Sequence, residues 1–198
     1  MSKNRRWYKI IYYDNKEFND LQFKVYLLNK YLTKHYNSDI ALKTLKAHSK
    51  NLDKLAKSLG EKDISFFCLY FLQDIFIVKD TNEARELSKG HYEMWELANK
   101  VFINDELDKV NIICPRGYAK TTIFDLAISV WLVAYKKSKF TLIGAKRDDD
   151  ASQFVDTIKK VFTENKIIID NFGKLIQKKG YTVNSNEIEF TNGMYIRA

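Results

Sequence analysis

The sequence predicts a mixed α/β fold in which an all-helical, basic region over residues 1–90 precedes the first part of a parallel-sheet core over residues 91–198. Apolar residues recur at helical spacing through most of the first hundred residues. From residue 110 onward the pattern becomes strand, loop, helix, strand and helix, which is how a doubly wound parallel sheet begins. Asn192-Gly193 between alternating apolar residues is a hairpin signal, so a β-hairpin is expected to end the chain.

The N-terminal region is predicted to be helical apart from Met1–Asp14, a basic and aromatic stretch that is expected to dock as a short strand or an arm. Cap-forming residues and glycines mark the helix ends. The predicted helices are Phe18–His35, one from an N-cap at Ser38 to about Ser58 with Gly60 as its stop, Ile64–Ile77 after a cap at Asp63, one from Thr81 to Gly90, and His91–Val101. The residues expected to face the core from the first two are Leu21, Val25, Leu28, Leu32, Ile40, Leu42, Leu45, Leu52 and Leu55.

The sheet core is predicted from apolar runs that alternate with helical patterns. Asp148, Asp149 and Asp150 stand where acids stabilise a helix N-terminus. The predicted elements are a buried strand at Val110–Ile113, a helix at Lys120–Tyr135, a second buried strand at Phe140–Gly144, an amphipathic helix at Asp150–Phe162, and strand segments at Tyr181–Val183, Glu187–Phe190 and Met194–Ile196.

Composition excludes several classes of protein. With 198 residues, 45% of them hydrophobic, and only 7 Gly and 1 Pro, the chain can bury a real core and is neither loop-rich nor disordered. Cys68 and Cys114 lie in apolar runs and are predicted to be buried, reduced thiols, which fits a cytosolic protein. The longest apolar run, near Ile64–Val78, is broken by Gln73 and Asp74, so no membrane is expected as a partner.

The net charge of +8 is concentrated at one end of the chain. Residues 1–50 carry 11 Lys/Arg against 4 Asp/Glu, whereas the remaining residues carry 22 against 21. A localised basic surface is a candidate footprint for nucleic acid, and a solvated lysine-rich helix face is the equally weighted alternative.

The strongest functional signal is the segment from Cys114 to Thr122, where an apolar run passes through a Pro/Arg/Gly loop into a helical pattern. A lysine and a hydroxyl in the first turn of a helix, Lys120 and Thr121, form a ready site for a nucleotide phosphate and its magnesium ion. The usual phosphate loop has glycine at its first and sixth positions, where this chain has Cys114 and Ala119. Alanine still permits a close backbone approach, although a left-handed φ is costly for it. Arg116 adds a second cation four residues before Lys120.

The carboxylates that such an ATPase needs are not evident after the loop. An acid at the end of a second buried strand ordinarily helps to hold magnesium. The one local candidate, Ile167–Asp170, is discounted because no acid follows Asp170 and no turn separates the run from the preceding helix. Glu187 and Glu189 lie on one face of the predicted hairpin and are interpreted as solvent-facing residues, not as catalytic acids. Residues 1–198 are therefore expected to bind ATP without hydrolysing it alone, and the chain to be an N-terminal fragment or a truncated reading frame.

Cys-Pro-Arg-Gly-Tyr-Ala-Lys-Thr-Thr at 114–122 resembles the variant phosphate loop of the large subunit of tailed-phage terminases. In that family an arginine stands four residues before the lysine. Over roughly residues 62–198 further segments occur in the order of the family's ATPase landmarks. They are Phe66–Leu72, His91-Tyr92-Glu93, Phe140–Ala145, Ala151 with Phe154, Asn171-Phe172-Gly173 and Glu187–Gly193.

The resemblance implies an incomplete phosphate-loop NTPase core with ATP and Mg²⁺ as cofactors. It implies that Lys120 contacts the β- and γ-phosphates, that Thr121 contacts magnesium and that Arg116 senses or stabilises the γ-phosphate. The other residues of the binding loop are Cys114, Pro115, Gly117, Tyr118, Ala119 and Thr122. It also implies an ATPase that drives viral DNA into procapsids in the host cytoplasm, with double-stranded DNA, the portal, a small terminase subunit and a ring oligomer as partners.

Two other functions stay open at this point. A helicase-like or other additional-strand ATPase would use the same loop, and the coding sequence beyond Ala198 would distinguish it. A non-enzymatic nucleic-acid-binding module would depend on the basic first 50 residues, and its affinity would fall steeply with salt.

Overall fold

The protein folds as a mixed α/β chain with two three-stranded sheets, in a computed structural model that describes residues 10–80, 82 and 84–198. The elements up to residue 102 are β1 Ile11–Tyr13, β2 Lys16–Phe18, α1 Asp20–His35, α2 Ser38–Ala47, α3 Leu52–Gly60, α4 Ile64–Phe71, α5 Gln73–Phe76, β3 Val78–Lys79 and α6 Lys89–Phe102. The elements after it are a π-helical segment Thr122–Ala127, α7 Ile128–Ala134, β4 Phe140–Leu142, α8 Asp148–Glu164, α9 Lys166–Phe172, β5 Glu187–Glu189 and β6 Tyr195–Arg197.

The N-terminal region was predicted to be all-helical, but it also contains three short strands. β1 pairs antiparallel with both β2 and β3, in the order β2-β1-β3, so part of the predicted Met1–Asp14 strand or arm is a strand. Residues 1–9 of that stretch lie outside the described part. Asp14 and Asn15 turn the β1–β2 hairpin with φ values of 51° and 56°, a left-handed conformation that these two residue types tolerate best after glycine. Sequence reasoning missed this hairpin because its strands are only three residues long.

The first predicted helix is confirmed, but only some of the residues that were predicted to face the core are buried. Leu28 and Leu32 are buried as expected, whereas Leu21 is 64% exposed. The predicted helix from Ser38 to about Ser58 is two helices, because Asn37 and Asn51 each cap a new one with a side-chain hydrogen bond. Residues 48–51 therefore separate α2 from α3, and Ile40 and Leu42 are exposed.

The buried helix after Asp63 is confirmed, since Oδ1 of Asp63 accepts from the amides of Ser65 and Phe66. It ends at Phe71 and is followed by the single turn α5. The predicted helix ending at Gly90 is wrong where it is described, because residues 84–88 form none and Gly90 lies in the first turn of α6. Thr81, its predicted start, lies outside the described residues.

The second sheet has the order β4-β6-β5, in which β4 pairs parallel with β6 and β5 pairs antiparallel with it. The predicted hairpin is confirmed, with Gly193 at φ 83° in its turn. The predicted strand Val110–Ile113 is wrong, because these residues pair with no described strand, and Ile113 is 90% exposed. The predicted strand at Phe140–Gly144 is confirmed over Phe140–Leu142, but it is not buried as expected, since the outer edge of β4 has no partner in the described chain.

One hydrophobic core runs through both parts of the chain. Buried residues from α1, α4, α6, α7 and α8 pack together in this core. The predicted domain boundary at residue 90 stays a prediction. Trp131 of α7 and Trp95 of α6 are completely buried in the core. The helix that follows the 114–122 loop is therefore fixed by the core.

Candidate functional site

The 114–122 loop joins residues 110–113, which pair with no described strand, to a helix that begins at Lys120. Of the buried strand and the helix that were predicted to flank a phosphate loop, only the helix is therefore present. The chain is helical from Lys120, continues through the π-helical segment and becomes α7. Buried Ile123, Leu126 and Ala127 hold the start of this helix in the core. A π-helical turn is rare and often marks a functional site.

Two residues of the loop adopt left-handed backbone conformations. Gly117 has a φ of 80° and Ala119 a φ of 55°. The substitution of alanine for the usual glycine at the sixth position therefore leaves the left-handed turn in place, at a strain cost of roughly 1–2 kcal/mol for a residue with a Cβ. Backbone strain of this kind is found most often at binding and catalytic sites.

The loop presents free donors beside a fixed cation. In the described chain, the amides of Arg116, Gly117 and Tyr118 donate no hydrogen bond. Nζ of Lys120 lies 3.4 Å from the carbonyl oxygen of Cys114, so its side chain folds back along the loop. Successive free N–H groups next to left-handed residues form a concave anion site, and an ammonium group strengthens it.

The predicted site residues thus lie together, with different exposures. Cys114, Ala119, Lys120, Thr121 and Thr122 are half-buried. Pro115, Arg116, Gly117 and Tyr118 are exposed. Arg116 forms no ion pair with a described residue, so its guanidinium is available to an anion.

Asp125 is a carboxylate near the loop that sequence reasoning missed. It is half-buried one turn after Thr121, and it accepts no hydrogen bond from a described residue. Burial raises the pKa of its carboxyl group. Its signal in the sequence was a single acid inside the apolar run Ile123–Ile128.

The helix α6 lies between the loop and the N-terminal hairpin. A cavity of about 230 Å³ is lined by residues of both α6 and the loop, namely Gly90, Glu93, Met94, Leu97, Cys114 and Tyr118. A larger cavity of about 380 Å³ lies at the β1–β2 turn, with Tyr13 and Tyr92 among its lining residues. The larger cavity is on the hairpin side of α6 and includes no residue of the loop.

The acids that sequence reasoning set aside have structural roles. Asp170 lies in helix α9, which confirms that Ile167–Asp170 is not a strand ending in an acid. The Tyr195 hydroxyl donates to Glu187 and, with Asn184, lowers the pKa of that carboxyl group. Glu189 accepts from the amide of Thr182. Both glutamates therefore stabilise the hairpin region.

Metal-binding clusters and membrane-spanning helices are both absent over residues 10–80, 82 and 84–198. No three His, Cys, Asp or Glu side chains converge there in a way that would hold a metal ion. Cys68 and Cys114 are both free thiols; Cys68 is buried as predicted, but Cys114 is only half-buried. Over the same ranges, none of the helices combines the length and the apolar character that crossing a membrane requires.

Comparison with models of known families, with curated proteins and with solved structures found no match to this chain. The geometry of the loop and the order of motifs in the sequence are therefore the grounds for a functional proposal.

Proposed function

We propose that this chain binds MgATP through its 114–122 loop, as the ATP-binding part of a motor that packages viral DNA. The main support for nucleotide binding is the conformation of the loop, with left-handed Gly117 and Ala119 and with Lys120 folded toward Cys114. The main support for packaging is the resemblance of the motif order to the terminase large subunit.

The residues of the loop fit the phosphate chain of a nucleoside triphosphate. The amides of Arg116, Gly117 and Tyr118 would donate to phosphate oxygens, while Lys120 would neutralise the β- and γ-phosphates. The Thr121 hydroxyl stands in the first helical turn, where it would hold magnesium. Bound Mg²⁺ supplies charge neutralisation of the phosphate oxygens.

Residues 1–198 are expected to bind nucleotide with negligible turnover. Water attack on the γ-phosphate needs a carboxylate that positions magnesium and the nucleophile. Asp170 is in a helix, and Glu187 and Glu189 hold the hairpin region. Asp125 faces no described partner, but it follows Lys120 on the same helix and does not end a strand.

A titration with MgATP tests the proposal. Lys120→Ala should weaken binding about 10- to 100-fold, since a charge-assisted hydrogen bond contributes roughly 1.5–3 kcal/mol. Lys109→Ala is the matched control, because Lys109 is an exposed lysine just before the loop. Thr121→Ala should reduce the gain in affinity that magnesium gives. Equal affinities for wild type and Lys120→Ala would refute the site.

Exposed lysines support double-stranded DNA as a partner. Lys24 and Lys30 are neutralised by Asp53 and Asp14, but Lys43 and Lys46 of α2 are exposed and form no ion pair with any described residue. A helicase-like ATPase, the portal, a small terminase subunit and a ring oligomer stay as proposals that depend on the sequence alone.

A further inference from the structure

The side chain of Tyr118, in the middle of the loop, packs on the first turn of α6. A Cβ atom added to Gly90 would lie 2.6 Å from Cε1 of Tyr118 and 2.7 Å from its hydroxyl oxygen. The ring of His91 lies parallel to the Tyr118 ring, with an interplanar angle of 5° and a centroid separation of 6.0 Å. This spacing is within the range of favourable aromatic pairs. The ring is therefore seated on a position that only glycine leaves open.

The turn of α6 that receives Tyr118 is itself held on several sides. The amide of Ser88 donates to Nδ1 of His91 over 3.0 Å, and the Ser88 hydroxyl lies 2.7 Å from the same nitrogen. The hydroxyl of Tyr92 lies 2.9 Å from that of Tyr13 in β1. Trp95, one turn further along, is completely buried. The first turn of α6 is thus a rigid support.

The loop has few other attachments of its own. Pro115, Arg116 and Gly117 are exposed, and the amides of residues 116–118 donate no hydrogen bond within the described chain. The contact of Lys120 with the Cys114 carbonyl is long for a hydrogen bond, at 3.4 Å. The packing of Tyr118 on α6 is therefore a main restraint on the middle of the loop.

We infer that Gly90 and Tyr118 are positioning residues, which hold the 114–122 loop ready for phosphate by seating the Tyr118 ring between Gly90 and His91. A preformed loop spares the ligand the entropic cost of ordering it. The consequence for affinity rests on the proposed function. The consequence for loop order does not, because it follows from the packing alone.

Gly90→Ala is the direct test. The added methyl group displaces the Tyr118 ring, while the helix α6 itself is not weakened, because alanine has a higher helix propensity than glycine. The melting temperature should therefore not fall, but amide exchange over residues 114–122 should become faster. MgATP affinity should fall about 10-fold or more, as expected when binding groups are misplaced by an ångström. Gly144→Ala is the control, since nothing lies within 4 Å of its added Cβ.

A double-mutant cycle with Tyr118→Leu separates seating of the ring from a general effect on α6. Tyr118→Leu should itself speed amide exchange over residues 114–122, whereas Tyr118→Phe, which keeps the ring, should leave that exchange close to the wild-type rate. In the Tyr118→Leu background, Gly90→Ala should have little further effect, because the two residues act through one contact.

The inference is overturned if Gly90→Ala changes loop exchange no more than Gly144→Ala does. It is equally overturned if Gly90→Ala has its full effect in the Tyr118→Leu background. If wild type shows no MgATP binding that Lys120→Ala removes, the proposed function fails, and the exchange measurements still decide whether Gly90 and Tyr118 position the loop.

Discussion

The indole Nε1 of Trp131 donates a buried hydrogen bond of 2.8 Å to the carbonyl oxygen of Gly60, which lies 71 residues earlier in the sequence. Trp131 belongs to α7, which continues the helix after the 114–122 loop, and Gly60 ends α3 of the N-terminal region. The hydroxyl of Tyr135 makes a similar bond to the carbonyl of Lys57, over 2.8 Å. These two bonds join the loop helix to α3, so the N-terminal region and the loop are expected to unfold together.

Trp131→Phe should destabilise the protein by more than the loss of ring volume alone. The substitution leaves the buried Gly60 carbonyl without its donor, at a cost of about 1–3 kcal/mol. Trp95→Phe is the matched control, because Trp95 is equally buried and its Nε1 donates no ordinary hydrogen bond to a described residue. Urea unfolding of the two variants measures the difference, and equal losses of unfolding free energy would show that the Trp131 bond contributes nothing.

Asp125→Asn should stabilise the protein at neutral pH. Burial raises the folded-state pKa of Asp125 above its ordinary value of 3.8, so the folded state carries the charged form at a cost. The loss of stability caused by the buried charge has its full value at pH values above the raised folded-state pKa. It decreases as the pH falls through that pKa, and it is absent below 3.8. The advantage of the Asp125→Asn variant over wild type should therefore shrink in acid.

Unfolding free energies of wild type and Asp125→Asn between pH 7 and pH 3 check this sign. Asp108→Asn is a suitable control, since Asp108 is exposed and lies outside the described helices and strands. An advantage of Asp125→Asn that grows as the pH falls would contradict the expected direction.

Local sequence signals predicted most of the helices correctly but misjudged their ends. Asn51 starts a new helix inside what reads as one helix from Ser38 to Ser58, because its side chain accepts a hydrogen bond from the amide of Lys54 and so caps α3. Gly90 was interpreted as a helix stop, but it is needed in the first turn of α6 to accommodate Tyr118. That reason depends on a contact 28 residues away, which periodicity does not reveal.

The candidate loop was found from its residue types, and its geometry was predicted only in part. Lys120 and Thr121 stand at a helix start, as the motif requires. Val110–Ile113 reads as a strand because it is apolar, yet a strand also needs a neighbour to accept its hydrogen bonds, and no described strand pairs with it. Such pairing is a property of the whole sheet, so four residues of sequence do not determine it.

Removing two lysines from α2 should lower the affinity for duplex DNA and should make that affinity less dependent on salt concentration. Lys43 and Lys46 are exposed on α2 and form no ion pair with a described residue. Each phosphate contact contributes about 0.9 to the slope of log affinity against log salt, so Lys43→Ala with Lys46→Ala should reduce the slope by up to about 2.

Lys178→Ala with Lys179→Ala is the control for the DNA experiment, because it removes the same charge from two exposed lysines outside the basic region. Fluorescence anisotropy with a labelled duplex at several salt concentrations measures both slopes. Equal losses of affinity for the two double variants would mean that only net charge matters and that α2 is not the DNA surface.

Ala119→Gly should stabilise the protein, because glycine adopts the left-handed φ of 55° at this position without strain. The strain relieved is roughly 1–2 kcal/mol, and the greater flexibility of glycine in the unfolded chain offsets part of it, so the net gain should be about 0.5–1 kcal/mol. Ala134→Gly, at the end of α7, is the matched control and should destabilise by roughly 0.5–1 kcal/mol, since glycine weakens a helix. Chemical unfolding of both variants compares the opposite signs. A loss of stability on Ala119→Gly would mean that the left-handed turn is absent in solution, and with it the concave arrangement of amides on which the proposed phosphate binding depends.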